Sequence, residues 1–218
     1  MSGRPDYQIK HDFESTVAYF VESIHAWVSQ QPELVSEKFT LLGHSMGGMF
    51  AGYYALTHPH CVNRLIFMSS VGLTNTPDWA KVPNFMQNIQ SSYLATYGAN
   101  FAERMLSESS FTPFDSYRIG GYYMGRAGIK KGMRRRVGEG VLSETQIEYM
   151  TTYIYQMMVC KKSSELMLSK IIRPFVYMPQ SLEDRLPSLK AHKIPMAFLY
   201  GEFDWVSRDV GDRLVESG

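Results

Sequence analysis

Apolar residues near the start of the chain recur at helical spacing: Phe13, Val17, Phe20, Val21, Ile24, Trp27 and Val28 share one side of a 3.6-residue period. The pattern predicts a helix over 12–30, with Asp12 as its N-cap and Pro32 just beyond its end. The period then changes. Phe39-Thr40-Leu41-Leu42 is an apolar run of strand length that stops at Gly43, and Met46 to Thr57 fits a helix that ends before Pro59. Leu65 to Met68 reads as a second buried strand. Met196 to Tyr200, bracketed by Pro195 and Gly201, reads as a third. Strand runs without polar alternation, separated by a helix, predict a mostly parallel sheet covered on both faces, an α/β fold.

Roughly 125 residues separate the second and third runs, too many for a simple crossover. This stretch is mostly helical in pattern. Its clearest element begins at Ser143, where Ser143 and Gln146 form a capping box and Leu142 with Ile147 a hydrophobic staple. Ile147, Met150, Ile154, Met157 and Met158 are then expected to line one face. A helical insertion here is expected to be a cap or lid. The predicted organisation is core over 1–70, cap over 71–192, and a returning strand with its loop over 193–218.

Composition adds bounds. The chain has 218 residues, 44% of them hydrophobic, and a formal net charge of +1, so no whole-molecule field recruits nucleic acid. No apolar run reaches membrane-spanning length. Cys61 and Cys160 are far apart, and with no signal peptide they are expected to be reduced, buried thiols in an intracellular compartment. The 14 Met and 14 Tyr fall largely between 80 and 180, where they make either an adaptable surface for acyl chains or an ordinary Met-rich core.

The candidate chemistry centres on Gly43-His44-Ser45-Met46-Gly47. A serine hydroxyl must project from the backbone and lose its proton to a base before it attacks. A G-x-S-x-G turn between strand and helix supplies the projection, and the amide of Met46 then faces a developing oxyanion at the helix N-terminus. Three fixed residues alone would arise by chance in roughly one chain in fourteen of this length. The strand before, the helix after and the extra Gly48 make the match specific. The partner acid is expected in the loop after the third strand, where Asp204 is the candidate and Glu202 a weaker one. The order serine, acid, histidine requires a base beyond Asp204, yet no histidine follows His192. His11, His25, His44, His58, His60 and His192 all read as structural or solvated. No metal or organic cofactor is called for. Lys130, Lys131, Arg134, Arg135 and Arg136 form a basic cluster, read either as a solvated face or as a headgroup contact through Arg134, Arg135 and Arg136.

Phe39 to Gly48, Thr57-His58-Pro59, Val62 to Ile66 and Pro195 to Asp204 resemble the α/β-hydrolase superfamily. Tyr153-Ile154-Tyr155-Gln156, Ser164-Glu165, Arg185-Leu186 ahead of Ile194-Pro195, and Ser2-Gly3-Arg4-Pro5 are similar to the subfamily of α/β-hydrolase domain-containing proteins four and five. The resemblance covers nearly the whole chain. It implies a serine hydrolase that cleaves acyl esters of phospholipids through an acyl-Ser45 intermediate, or transfers the acyl group to a lysophospholipid. Some members instead serve as non-catalytic co-activators, so the rival expectation is an impaired hydrolase fold acting as a lipid-binding or assembly subunit. Implied partners are a lipid or acyl ester, a membrane surface met peripherally, and a larger assembly. The implied setting is mitochondrial or cytoplasmic, at membranes or lipid droplets. Against that family the chain looks like the middle of the protein, without the first strands and the last strand with its histidine.

Residues 1–218 alone should therefore turn over a p-nitrophenyl ester far more slowly than the complete protein. Removing one triad member leaves only about 10³–10⁴-fold enhancement over water. Comparable turnover by the two would show that one of the six histidines, or a partner, supplies the base.

Overall fold

The computed structural model describes residues 12–74, 112, 114–137, 141–171, 180–202, 204 and 206–216. They divide into two compact units, one comprising 12–74, 170–171, 180–202, 204 and 206–216, the other 112, 114–137 and 141–169.

The first unit holds a three-stranded parallel sheet. Helix α1 (Phe13–Val28) starts at Asp12, whose carboxylate accepts from the Ser15 amide at 2.8 Å. Pro32, expected as a stop, instead opens a further short helix, α2 (Pro32–Ser36), where its fixed φ suits the first turn. Strand β1 (Phe39–His44), helix α3 (Met46–Thr57) and strand β2 (Val62–Met68) follow. The strands run further than their apolar runs because pairing continues through Gly43 and His44 and begins at Val62.

Residues 180–192, at the end of the stretch expected as cap, pack with this sheet. Leu182 is buried in its core, as are Leu186 and Leu189 of a 3₁₀ helix (Leu186–His192). Strand β3 (Met196–Leu199) pairs with β2, giving the order β1-β2-β3. Leu41, Leu65 and Met196 stand in register, as do Gly43, Phe67 and Phe198. On that face lie α3 and the later helix Asp209–Glu216, whose Gly211 meets Phe198 and Tyr200. The core under it includes Met49, Tyr54, Ala55, Leu65 and Phe67, with the Phe67 and Phe198 rings stacked at 5.1 Å. Burying side chains of this size contributes about 1.5–3 kcal/mol each. On the opposite face Thr40, Leu42, His44, Arg64 and Leu199 are exposed among the described residues.

In the second unit, α4 (Asp115–Val137) is broken at Gly121, where φ is 63°. Helix α5 (Glu144–Val159) begins with the expected capping box at Ser143 and Gln146. The two are antiparallel neighbours: Arg134 reaches Glu144, Lys130 reaches Glu148, and the ring of Tyr122 meets that of Tyr155. Gly125 permits the close approach, since a Cβ there would lie 2.7 Å from the Tyr155 ring. The buried stripe of α5 is Ile147 and Thr151, whereas Met150 and Met157 are exposed. A helix carrying Tyr and Met on every side conceals its inner face from a periodicity reading. Arg118 binds Asp115, Glu165 and the Cys160 carbonyl, and Lys162 binds Asp115. Burial alone would raise the Asp115 carboxyl, but Lys162, the Thr112 amide and Arg118 hold it well below the usual range.

Both cysteines are free, but Cys160 is exposed and Cys61 half-buried, against the expectation of buried thiols. Cys160 closes α5, and its thiol needs no core because it donates to the Gln156 carbonyl at 2.9 Å. No helix among the described residues is long and apolar enough to cross a membrane.

At the C-terminal end of α3 the His25 and His58 rings stack at 3.8 Å, with Tyr54 and His60 beside them and Glu22 3.3 Å from His58. Burial and then the neighbouring His25 hold the His58 imidazole below its ordinary value, against the pull of Glu22. The unfolded chain therefore takes this proton at higher pH than the folded one, so stability falls as pH drops below about 6.5. Thermal melts from pH 7.5 to 5 should show a declining Tm, and His58→Gln should flatten the decline. An unchanged slope in the variant would remove His58 as its source.

Candidate active site

The site is built where the parallel strands end. Register places His44, Met68 and Leu199 level, so the loops carrying Ser45, Ser69 and Asp204 leave the same edge of the sheet. Ser45 has φ 54° and ψ −124°. A side-chain-bearing residue holds such a conformation at a cost of about 1–3 kcal/mol, and only where its surroundings impose it.

Those surroundings are explicit. The Ser45 amide donates to the Met68 carbonyl at 3.0 Å, and the Ser45 carbonyl accepts from Gly48 at 3.0 Å and Val71 at 3.2 Å. A Cβ on Gly43 would stand 2.5 Å from the Gly48 Cα, and one on Gly48 would stand 2.6 Å from the Ser70 Cβ and overlap its hydroxyl. The chain can turn this sharply only because both positions lack a side chain. Gly47 faces open space, with nothing within 4 Å of where its Cβ would be. Met46 opens α3, so its amide belongs to the helix N-terminus and carries the positive end of the dipole. His44 is exposed at the end of β1 on the sheet face opposite Gly43, beside the elbow.

Asp204 is held in its loop at both oxygens. Oδ1 accepts from the Val206 amide at 3.1 Å; Oδ2 accepts from the Gly201 amide at 3.2 Å and from the Ser69 hydroxyl at 2.5 Å. Glu202, the weaker acid candidate, is exposed. Ser45 and Asp204 follow strands two apart, about 10 Å at the usual spacing of parallel strands. Two hydrogen bonds and an imidazole ring span roughly 8 Å, so the gap suits a histidine. No described histidine stands there. His25, His58 and His60 cluster at the far end of α3, His192 precedes β3 at the opposite edge, and His11 lies outside the described residues. Nor is Tyr200 a substitute base, because burial and then Asp212, Asp204 and Asp209 push its hydroxyl up to about 12.

Ser69 is the site residue that sequence reasoning missed. It directly follows the second strand, level with the elbow, but what singles it out is its backbone conformation. Of the basic cluster, Arg134 pairs with Glu144 at 2.7 Å, and the side chains of Arg135 and Arg136 lie outside the described residues.

A strand, a strained serine turn and a helix, with an acid loop two strands away on one parallel edge, is the arrangement of an α/β-hydrolase fold. The sequence profile of the alpha/beta hydrolase fold matches residues 2–128, and the chain belongs to that family. Within it the resemblance to the α/β-hydrolase domain-containing proteins four and five holds. The 1-acylglycerol-3-phosphate O-acyltransferase of Arabidopsis thaliana is 32% identical over 213 residues, covering 94% of this chain and 47% of the relative. Human 1-acylglycerol-3-phosphate O-acyltransferase ABHD5 is 26% identical over 200 residues, covering 92% and 52%. The chain thus spans about half the length of the curated relatives it matches. The thioesterase domain from the curacin biosynthetic pathway shares the fold at a TM-score of 0.50 and 16% identity, covering 92% of this chain and 62% of that one.

Gly48→Ala should destabilise the first unit by about 1–3 kcal/mol, the usual cost of overpacking, because its Cβ has nowhere to go. Gly47→Ala, entering open space within a helix, should be neutral or slightly stabilising. Urea titrations decide it, and equal costs would refute the packing account of the elbow.

Proposed function

We propose that this chain carries the nucleophile and acid of a serine hydrolase that handles acyl esters of lipids. The observation that carries the reading is the Ser45 backbone, held in a strained turn at the N-terminus of α3 with an acid loop on the same sheet edge. In the proposed reaction the Ser45 hydroxyl attacks the ester carbonyl while its proton passes to an imidazole. The Met46 amide stabilises the oxyanion, and the alcohol leaves with that proton. Water, or the hydroxyl of a lysolipid, then attacks the acyl-serine, and Ser45 recovers its proton. Hydrolysis and acyl transfer differ only in that acceptor. The names of the relatives, acyltransferases of 1-acylglycerol-3-phosphate, support a glycerolipid substrate.

Asp204 is assigned to orient the imidazole, which must come from outside the described histidines. We assign the segment 71–192 to a cap on its place in the chain, less residues 71–74, 170–171 and 180–192, whose Val71, Leu73, Ile171, Leu182, Leu186 and Leu189 belong to the core. A headgroup contact at the basic cluster would have Arg134 exchange Glu144 for a lipid phosphate, a small change for so exposed a pair. A second reading, a non-catalytic lipid-binding or assembly subunit, is favoured by one observation: no described histidine faces Ser45.

A fluorophosphonate probe should label the protein, at its full native length, on Ser45. Ser45→Ala should abolish labelling without moving Tm, since it removes one half-buried oxygen and leaves the strained backbone in place. Equal labelling of the two proteins would sink the nucleophile assignment, and no labelling of either would favour the non-catalytic reading.

A further inference from the structure

Ser69-Ser70-Val71, directly after β2, touches both halves of the site. Ser69 bonds the acid, Ser70 fills the space left by Gly48, and the Val71 amide binds the Ser45 carbonyl. Within it Ser69 is anomalous. Its φ is 45°, a left-handed conformation that favours glycine and that few residues with a Cβ adopt. A glycine would relieve the strain but carry no hydroxyl. That hydroxyl lies 2.5 Å from Asp204 Oδ2, while the Ser69 amide donates to the Leu199 carbonyl at 2.8 Å. The second bond ties Ser69 to the last paired residue of β3, the strand from which the acid loop departs.

We infer that Ser69 is a positioning residue for the reaction, acting through Asp204. The inference rests on Asp204 being the triad acid as proposed above. A carboxylate at a loop tip can rotate about its side-chain bonds. Its Oδ1 is turned inward by the Val206 amide and its Oδ2 by the Gly201 amide, both from its own loop. The Ser69 hydroxyl references the carboxylate to the sheet instead, at the end of the strand next to the one that leads to Ser45. Fixing the acid against β2 fixes the direction in which it presents a lone pair to an imidazole. The strained serine backbone is retained, on this account, because the hydroxyl is needed where only a left-handed residue can present it.

The test uses the protein at full native length, a soluble p-nitrophenyl ester, and the variants Ser69→Gly, Ser69→Ala, Asp204→Ala and Ser69→Gly with Asp204→Ala. Ser69→Gly suits the backbone, so its Tm should not fall. Both Ser69 variants should lower kcat by about 10-fold or more, the scale of one hydrogen bond to a charged group, with KM nearly unchanged. In the Asp204→Ala background, Ser69→Gly should cost nothing further, because its partner is already gone. Wild-type kcat in Ser69→Gly, or losses that multiply in the double variant, would overturn the inference while leaving Asp204 as the acid. Wild-type kcat in Asp204→Ala would overturn the acid assignment and this inference with it. An inactive wild type would overturn the serine-hydrolase reading itself.

Discussion

Ser45 occupies backbone space that a serine does not choose, and much of the first unit is arranged so that it has no alternative. The turn exists because α3 folds back against β1 closely enough that Gly43 and Gly48 nearly touch. That approach is enforced from beneath by the side chains that bury α3 on the sheet, Met49, Tyr54 and Ala55, each fully buried. It is enforced from the side by the carbonyl of Met68 and the amide of Val71. The residues that stabilise the fold are thus largely those that strain the elbow. Burial of several large side chains at about 1.5–3 kcal/mol each exceeds the strain at one residue, which is why the conformation persists.

The same helix sorts the chemistry of the unit into two ends. At the N-terminus of α3 the dipole is positive and the loops hold a serine and a carboxylate. At the C-terminus the dipole favours a cation, and His58 caps the helix there. Yet the His58 imidazole is held low, because burial and the stacked His25 outweigh the dipole and Glu22. Two nearby histidines at one helix end are therefore not a reserve of base for the nucleophile. They lie a helix length away from it, and burial beside the stacked His25 ring favours the neutral form of His58.

Most of this architecture was legible in the sequence wherever a single constraint governed the pattern. The helix at Met46–Thr57 was read to the residue because a glycine turn begins it and Pro59 limits it. The capping box at Ser143 was equally plain, since two side chains at fixed spacing satisfy each other's backbone. Asp12 was read correctly for the same reason. The failures have a common cause. In α5 the buried position after Ile147 is Thr151, not Met150, because Tyr and Met surround the helix and give no contrast. Ser69 was missed because its significance is conformational: nothing in a run of two serines announces a left-handed backbone. Ser45 and Asp204 are candidates by residue type and spacing, whereas Ser69 stands out by its φ.

The second unit shows how far charge arguments reach. A cluster of cations invites a headgroup reading, but Arg126, Lys130 and Arg134 face Glu148 and Glu144 across the helix pair. Their spacing matches the antiparallel register, so helix pairing alone explains them. The exposed pair Arg134–Glu144 is worth about 0–1 kcal/mol and would yield to a phosphate at little cost. Arg118 is different. It is mostly buried, shared between Asp115 and Glu165 and bound to a carbonyl, so removing either acid would leave its charge only partly compensated in a poorly solvated place. The exposed Tyr123, Met124, Tyr149 and Tyr153 carry no such prior commitment of charge. They add an aromatic and thioether surface beside the paired cations, of the kind that suits an apolar or amphipathic contact.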